Sequence, residues 1–399
     1  MSMALMPVEE ARARILKNVK PLALETVALK DSRNRVVGKA LRARRDQPPF
    51  PASAMDGYAL CAEDGAARLK LIGTSAAGHA FRGKLKAGEA VRIFTGAPVP
   101  ENANAVVIQE NTETDGKSVT LLQAVRVGQN IRARGLDFKK GEALLPAGIK
   151  LNARDMGLAA AMNRGLIRVR RKPLVAVIAT GDELVLPGGS PRADQIISSN
   201  SNALAAMAES FGAIVINCGI VKDNLKATER AILKVAKADV LVTTGGASVG
   251  DHDFIQEALR NTGVKIDFWK IAMRPGKPFM YGRKARQHVM GLPGNPVSAL
   301  VCARLFLKPL LDALQGLPLE DRPVMARLGA AMAANDSRQD YVRATLSLAD
   351  DGARIATPFT MQDSSMQRTL RDAHCLIIRT PNAAEARAGD LVSILNLDF

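Results

Sequence analysis

The segment Val240 to Asp253, VLVTTGGASVGDHD, combines the residue types that bind anionic ligands in α/β proteins. An apolar β-branched run ends in a turn rich in hydroxyl groups and glycine, and an amphipathic segment follows. Because glycine has no Cβ, backbone amides at Gly245 and Gly246 can approach a phosphate or oxyanion closely, and the next helix adds its positive dipole end. The pattern predicts a site for a phosphorylated small molecule. Taken alone, it also fits a tight strand-to-helix turn without a ligand.

Further polar loops carry carboxylates and cations. They are ATGDEL with Thr180, Gly181, Asp182 and Glu183; VKDN with Asp223; TTGGASVGDHD with Thr244, Ser248, Gly250, Asp251 and Asp253; KIAMRPGKPF with Lys270, Arg274 and Lys277; and GLPGNPVSA with Pro293, Asn295, Pro296 and Ser298. If the strands before these loops point to one edge of a sheet, the loops converge there. Carboxylates suit Mg²⁺ bridging an anionic substrate, and amides, Lys or Arg hold phosphate. Each acid taken singly also fits a solvated loop charge or a helix cap.

The same turn allows a second kind of chemistry. Gly246 to Gly250 fits the GxSxG nucleophile elbow of α/β-hydrolases, with Ser248 as the nucleophile. His288 or His374 would then act as the base, with an acid between the serine and the histidine in the chain. This hypothesis leaves the RPGKPF, GDEL and GLPGNP loops without a role.

The elements that must position these loops lie in residues 172–316. The apolar runs LVAVIAT, AIVINCGIV and DVLVTT alternate with amphipathic segments at Asn200–Phe211 and Leu225–Ala238. A last helix is expected from Pro296 to about Leu314. This βαβ alternation predicts a mostly parallel sheet with helices on both faces, a three-layer α/β/α domain.

The 399 residues are too many for one ordinary core, so we expect several domains. Residues 1–46 and 141–171 are predicted to form an N-terminal linking domain, with helices at Glu9–Val19 and at Asn152–Met162, where Asn152 is an N-cap. Residues 47–140 begin at a proline-rich break and show short β-like runs, which predicts a β-rich inserted domain. Residues 317–399 are predicted to form a small C-terminal β domain.

Composition excludes several classes of protein. With 47% hydrophobic and 24% charged residues, and no apolar run near the roughly 20 residues of a membrane span, the chain is expected to be cytoplasmic. Four scattered cysteines favour neither a zinc site nor a disulfide framework, and Cys218 and Cys302 are expected to be buried. The net charge of +16 is spread along the chain and only 4% of residues are aromatic. We therefore expect small anionic ligands and no specific nucleic acid.

Seven motifs occur in a characteristic order: AMDGYAL, IFTGAPVP, IRARGLDF, ATGDEL, TTGGASVGD, RPGKPF and GLPGNPVSA. In this order they closely resemble the molybdopterin molybdenumtransferase family, which includes bacterial MoeA and animal gephyrin. The resemblance extends over nearly the whole chain and is weakest in the final β domain. It implies an elongated four-part subunit that forms a homodimer, with the active site between the α/β domain and the β-rich part of the partner subunit.

The resemblance also implies a reaction and a set of residues. Adenylylated molybdopterin is cleaved with the help of Mg²⁺, AMP leaves, and molybdate is inserted to give molybdenum cofactor, which other enzymes receive. By motif, Asp56, Thr95 and Asp137 face the site from the β-rich part; Glu183, Asp223 and Asp253 form the acidic set, with Glu183 and Asp223 as the Mg²⁺ ligands; and Lys270, Arg274, Lys277 and Ser298 bind molybdate. Thr180, Gly181, Thr244, Gly245, Gly246, Ser248, Gly250, Pro293, Asn295 and Pro296 bind substrate.

Some positions depart from the family pattern or stay open. Arg274 stands where the family often has lysine, and a planar guanidinium holds an oxyanion differently from an ammonium group. Asp251 and Asp253 are interchangeable candidates, and Arg338 and Arg343 either reach the oxyanion or are surface charges. Two further functions also stay open: a non-catalytic pterin carrier or scaffold, and pterin adenylylation as in single-domain relatives that share the TTGG loop.

Overall fold

The computed structural model describes residues 5–245, 254–319 and 323–399. The chain divides into two compact units, one formed by Met1–Glu25 with Arg170–Phe399 and the other by Thr26–Val169. Across the described ranges, no helix is long and apolar enough to cross a membrane. The four predicted domain boundaries stay predictions.

A six-stranded sheet organises the first unit. Its strands are β1 (Leu174–Thr180), β2 (Ile214–Val221), β3 (Val240–Thr244), β4 (Lys265–Trp269), β5 (Met280–Lys284) and β6 (Gln287–Leu292), in the spatial order β2-β1-β3-β6-β5-β4. The pairs β1–β2, β1–β3 and β3–β6 are parallel. The carboxyl ends of these four strands therefore meet at one edge of the sheet, as the sequence predicts.

Helices cover both faces of this sheet. They are α1 (Asn200–Ser210), α2 (Leu225–Lys234), α3 (Phe254–Asn261), α4 (Pro296–Cys302) and α5 (Lys308–Gln315). Side chains alternate along a strand, so Val175 packs with Leu204 in one core while the neighbouring Ala176 packs with Ile232 and Ile255 in the other. The predicted three-layer α/β/α architecture is confirmed.

One strand, β5, runs against the others. β5 pairs antiparallel with both β4 and β6, and only Ala285 and Arg286 separate β5 from β6. A parallel pair needs a crossover of a dozen or more residues, so this short turn permits only a hairpin. The sheet is therefore mostly, and not wholly, parallel.

The predicted helix from Pro296 to about Leu314 is not uniform. Between α4 and α5, residues Ala303–Leu307 form a π-helical turn. Pro309 has no backbone N–H and cannot donate to the carbonyl four residues earlier, which disfavours regular α-helical bonding there. The expectation of a single continuous α-helix needs this correction.

A second sheet of the first unit forms the C-terminal β domain. Its main strands are Val324–Leu328, Gln339–Leu348, Arg354–Pro358, Cys375–Arg379 and Leu391–Asn396. The short strand Met273–Arg274 pairs with the start of Gln339–Leu348. Gln339–Leu348 pairs with both Arg354–Pro358 and Cys375–Arg379, which closes the five main strands into a small barrel. The short helix Gln367–Asp372 lies in one of its connections. The remaining regular elements of this unit are the helix Val8–Leu16 and the parallel strand pair Leu184–Val185 and Ile196–Ile197.

The second unit is β-rich. Its six-stranded sheet has the spatial order Ala105–Ile108, Gly57–Leu60, Glu89–Ile93, Arg68–Ser75, Ser118–Leu121 and Thr112–Thr114. Smaller pairs join Leu41–Arg42 to Ala143–Leu145, Ala52–Ser53 to Ile131–Arg132, and Leu24–Ala28 to Leu166–Arg170. The helix Ala153–Ala161 begins with a capping box, in which the Asn152 side chain accepts from Arg154 N and Asp155 N, so the predicted N-cap is confirmed.

All four cysteines are free thiols. Cys302 is buried as expected, and burial raises its pKa. Cys218 is only partly buried, because it lies on β2, the edge strand of the sheet. The expectation that Cys218 is buried was therefore wrong.

One buried pair makes the stability of the first unit depend on pH. His288 and Tyr281, both at most 2% exposed, share a hydrogen bond of 2.8 Å. Burial lowers the pKa of His288 from 6.5 to about 4 and raises that of Tyr281 to about 12. Both side chains are therefore neutral at pH 7.

We expect the neutral His288 to stabilise the fold fully above about pH 6.5. Since its pKa is lower in the folded than in the unfolded chain, the unfolded chain binds a proton more readily, and up to about 3 kcal/mol is lost as pH falls towards 4. Urea midpoints measured from pH 4 to pH 7.5 should fall less steeply on acidification in His288→Asn than in the unchanged protein. The exposed-histidine control His79→Asn should keep the full slope, and a full slope in His288→Asn would contradict this account.

Candidate functional site

The turns after β1 and β3 are built around glycine. Gly245 follows β3 with φ +90°, and a Cβ there would lie 2.3 Å from the carbonyl oxygen of Thr180 at the end of β1. Gly181 has φ +150°, and a Cβ there would lie 2.5 Å from the carboxylate of Glu183. These positions therefore require glycine, which brings the two turns together and lets Glu183 fold back over its own turn.

Two neighbouring cavities lie at this carboxyl edge. Cavity A has a volume of about 430 Å³ and is lined by Ala179, Thr180, Glu183, Leu184, Ile196, Ile197, Ser198, Ser199, Asn200, Thr244, Gly245, Gly294, Asn295, Pro296, Ser365 and Gln367. Cavity B has a volume of about 640 Å³ and is lined by Glu183, Gly245, Met273, Arg274, Pro275, Gly276, Lys277, Pro278, Pro293, Gly294, Asn295, Ser298, Arg338, Gln362, Asp363 and Ser364. Glu183, Gly245, Gly294 and Asn295 belong to both. The predicted loops after β1, β3 and β6 thus converge.

Asn200 ties these loops to one another. Its Nδ2 donates to Thr244 Oγ1 at 3.0 Å and to the carbonyl oxygen of Gly294 at 2.7 Å. Its own Oδ1 and the hydroxyl of Thr180 are buried without a hydrogen-bond partner in the described part of the chain. Buried polar atoms are rarely left unpaired, so the wall of cavity A offers hydrogen-bonding capacity. The sequence predicts Asn200 only as the start of a helix.

Cavity B is the cationic compartment. Arg274, Lys277 and Arg338 line it together with the hydroxyl-bearing Ser298, which is 5% exposed. The guanidinium of Arg274 pairs with the carboxylate of Asp340, and this hydrogen bond raises the pKa of the arginine. Arginine stays charged at every physiological pH, so the cavity presents fixed positive charge to an anion.

Lys270 is placed differently from the other predicted anion binders. Its amino group lies 4.2 Å from the ring centroid of Trp269, and its backbone has φ +72°. As far as the structure describes the chain, Lys270 lines neither cavity A nor cavity B. Its predicted role in anion binding stays a prediction.

The C-terminal β domain contributes to the cavities, which the sequence does not predict. The segment 359–366 supplies Gln362, Asp363, Ser364 and Ser365 to the cavity walls. Ser364 accepts a hydrogen bond from Asn295 Nδ2 on its Oγ at 2.7 Å and one from Val297 N on its carbonyl at 3.0 Å. The polar run QDSS was the available signal, but nothing in the sequence indicates that it reaches another domain.

Arg343, on the barrel strand Gln339–Leu348, binds the segment 359–366. It is 1% exposed and donates to the carbonyl oxygens of Asp363 at 2.9 Å and Met366 at 3.2 Å, and to Gln362 Oε1 at 3.3 Å. It is therefore neither a surface charge nor part of the described lining of either cavity, whereas Arg338 lines cavity B. Of the two arginines left open by the sequence, one faces the cavity and the other supports its wall.

The acidic residues are only partly brought together. Glu183 lines both cavities, while Asp182 and Asp223 link the loops after β1 and β2, with each backbone N–H donating to the other carboxylate at 3.2 to 3.3 Å. Within the described ranges no group of three or more His, Cys, Asp or Glu could hold a metal. Gly246, Ser248, Gly250, Asp251 and Asp253 lie outside the described residues.

The remaining predicted residues lie in the second unit. Asp56 Oδ1 accepts from both the backbone N–H and the hydroxyl of Thr95, each at 2.7 Å, and these bonds lower the pKa of Asp56. Asp137 lines a cavity of about 380 Å³ together with Gly96, the residue after Thr95. The exposed apolar side chains of Phe50 and Leu136 line the same cavity.

Fold and site together define a class of protein. A mostly parallel α/β sheet with a glycine-built, cationic cavity at its carboxyl edge is typical of anion-binding α/β domains, and here it is joined to β-rich domains. Three family models match in order: the MoeA N-terminal region, domains I and II, over residues 6–163; a probable molybdopterin binding domain over residues 176–313; and the MoeA C-terminal region, domain IV, over residues 325–397.

Individual relatives match over nearly their full length. Molybdopterin molybdenumtransferases from Haemophilus influenzae and Bacillus subtilis are 32% and 33% identical to this chain, over 98% of it and 98% and 93% of their own lengths. The crystal structure of the molybdopterin biosynthesis MoeA protein from Pyrococcus horikosii superposes with a TM-score of 0.87 at 29% identity, covering 99% of this chain and all of that one. The chain belongs to the MoeA family of molybdopterin molybdenumtransferases, and the predicted family is confirmed.

The competing functions are not favoured. His288, the first base considered for a serine hydrolase, is buried against Tyr281, and His374 Nδ1 accepts from the backbone N–H of Leu346 in the C-terminal barrel. A single-domain adenylylating enzyme would not explain the matches to the MoeA N- and C-terminal regions. A pure carrier is disfavoured because the relatives are named as transferases.

We expect Arg343→Lys to loosen the segment 359–366 without unfolding the barrel. A single ammonium group cannot reproduce the planar guanidinium that donates to three acceptors. We therefore expect the segment to lose about one hydrogen bond, and with it part of its protection against hydrogen exchange. Hydrogen exchange should become about tenfold faster in peptides that cover residues 359–367. Arg327→Lys, which alters an exposed pair with Asp351 in the same barrel, is the matched control. Unchanged exchange in Arg343→Lys would contradict the supporting role.

Proposed function

We propose that this chain is a molybdopterin molybdenumtransferase, which inserts molybdate into adenylylated molybdopterin and releases AMP. The observation that carries the proposal is the pairing of cavity A with cavity B. Four residues, including Glu183 and Asn295, line both compartments, so one ligand can extend from the first into the second. The names of the relatives supply molybdopterin and molybdenum, and the family resemblance implies the adenylylated substrate and the release of AMP.

We assign the pterin to cavity A. Leu184, Ile196 and Ile197 give the cavity an apolar wall. Thr180 and Asn200, which also line it, carry polar atoms without hydrogen-bond partners in the described part of the chain. A flat heteroaromatic ring with polar edges needs both kinds of surface. The phosphates would then lie near the glycine turn at Gly245, where backbone amides suit anions.

We assign molybdate to cavity B. The oxyanion carries two negative charges, and Arg274, Lys277 and Arg338 supply fixed positive charge, with Ser298 as a hydrogen-bond donor. The carboxylates of Glu183 and Asp363 line the same cavity, which leaves a local excess of one positive charge. Selective binding of a small dianion therefore depends on how the cations are oriented as much as on their number.

We propose that Glu183 and Asp223 hold a Mg²⁺ ion of the kind that serves phosphate chemistry. Mg²⁺ commonly uses one or two carboxylates and completes its shell with water and substrate phosphate, so a protein cluster of three acids is not required. Bound there, Mg²⁺ would neutralise the phosphate charge that develops as AMP leaves. Glu183 is available at both cavities, and the Asp182–Asp223 pair fixes the neighbouring loop.

Purified protein given adenylylated molybdopterin, Mg²⁺ and molybdate is expected to release AMP. Glu183→Gln and Asp223→Asn should slow release by about a hundredfold or more, because each removes a charge from the metal site while keeping the side-chain shape. Asp194→Asn, an exposed carboxylate on the segment between Val185 and Ile196, should leave the rate unchanged. Wild-type rates in both site variants, with circular dichroism showing intact folding, would remove these carboxylates from the mechanism.

We further infer that the enzyme works as a homodimer and passes its product to molybdenum-cofactor enzymes. The second unit presents Asp56 and Asp137 on a surface with exposed Phe50 and Leu136, which is an unusual surface for a domain without a partner. We propose that this surface serves the active site of the other subunit.

Mixed dimers test this arrangement. In a dimer of one Asp56→Asn subunit and one Glu183→Gln subunit, a shared active site would leave one site with both substitutions and one with neither. Such a dimer, purified through two different tags, should show about half the unchanged activity, although both parent homodimers are nearly inactive. A mixed dimer as inactive as its parents, or a monomer in sedimentation, would contradict the proposal.

A further inference from the structure

Arg274 is the cavity B cation whose hydrogen bonds the structure defines most fully. Its Nε donates to Asp340 Oδ1 at 2.9 Å and its Nη2 donates to Asp340 Oδ2 at 2.7 Å. These two parallel bonds form the bidentate geometry that fixes the plane of a guanidinium. Asp340 has a side chain only 15% exposed, against 48% for Arg274, so the carboxylate is the sheltered member of the pair.

Backbone pairing sets this contact. The strand Met273–Arg274 runs parallel to the start of Gln339–Leu348, with Arg274 opposite Asp340. Gln339 N donates to the carbonyl oxygen of Ala272 at 2.9 Å and continues the pairing. The orientation of an arginine from the α/β domain is thus determined by a strand of the C-terminal barrel.

Contacts of Asn335 and Asp336 support the Arg274–Asp340 pair. Asn335 donates through Nδ2 to the carbonyl oxygens of Arg338 and Thr380, each at 2.8 Å, and its Oδ1 accepts from Arg274 Nη2 at 3.4 Å. Asp336 pairs with Arg338 at 2.7 Å and lies 3.6 Å from Arg274 Nη2, and its pKa is lowered to about 2, chiefly by Arg338. The two cavity arginines are therefore joined through the segment 335–340.

The network leaves one end of Arg274 for a ligand. A guanidinium has five N–H donors, and those on Nε and Nη2 are directed to Asp340 and Asn335. Among the residues that the structure describes, Nη1 has no hydrogen-bond partner. A lysine could rotate its three donors to suit any anion, but an arginine must be held in the correct plane.

We propose that Asp340 is a positioning residue for oxyanion binding, which orients the free Nη1 end of Arg274 in cavity B. This inference rests on the proposed function, since it takes cavity B as the molybdate compartment. A purely electrostatic effect has the opposite sign, because removing a negative charge near the cavity would strengthen anion binding. The direction of the change therefore distinguishes positioning from charge.

The test is equilibrium dialysis of the full-length protein against molybdate, with molybdenum quantified by mass spectrometry. Asp340→Asn keeps the size of the side chain but not its charge, and we expect it to raise the dissociation constant about tenfold. Asp340→Glu, which keeps the carboxylate, should raise the dissociation constant by a smaller factor. Asp351→Asn, which breaks the exposed Arg327–Asp351 pair of the same barrel, should bind as the unchanged protein does.

Substitution of the arginine separates positioning from a general structural effect. In an Arg274→Lys background, Asp340→Asn should change the dissociation constant less than threefold, because a lysine does not depend on a fixed plane. Unchanged or tighter binding in Asp340→Asn, or an equal loss in both backgrounds, would overturn the positioning role while leaving the proposed function intact. If the unchanged protein does not bind molybdate, the assignment of cavity B to molybdate fails, and this inference fails with it.

Discussion

The close approach of two strand ends is the constraint on which the site depends. β1 and β3 are adjacent and parallel, so Thr180 and Gly245 leave the sheet side by side, and there is no room for a Cβ between the second turn and the first. This contact brings the loops of Glu183, Gly245 and Asn295 to a common wall. The catalytic potential of the α/β domain follows from the parallel pairing that lies beneath it.

The α/β domain does not complete the two cavities by itself. The segment 359–366 contributes one wall and is fastened on its cavity side by Asn295 and on its barrel side by buried Arg343. Arg274 belongs to the α/β domain in sequence but takes its orientation from Asp340 in the barrel. The C-terminal barrel therefore shapes both cavities, although in sequence it is the part with the weakest family resemblance.

The orientation of the charged side chains in cavity B matters as well as their number. Arg274 and Arg338 each have carboxylate partners. Lys277 reaches the cavity from the segment before β5, and Ser298 reaches it from helix α4. Paired arginines keep their planes fixed, and their remaining donors are presented in one orientation. The net charge of +16 favours anions in general, but discrimination between small oxyanions requires this local geometry.

The sequence by itself determined the family, the three-layer domain and the loops that gather at its carboxyl edge. Apolar runs such as LVAVIAT and glycine turns such as that at Gly245 are local patterns, and local patterns fix strands, turns and the direction in which the chain leaves a sheet. Only the tertiary structure decided that Arg343 is a buried support, that Lys270 lies on Trp269, that Asn200 and Ser364 line the cavities, and that Asp340 binds Arg274. Except for the Lys270–Trp269 contact between chain neighbours, those outcomes depend on contacts between residues 19 to 94 positions apart. No periodicity or spacing in the chain encodes which distant side chains will meet.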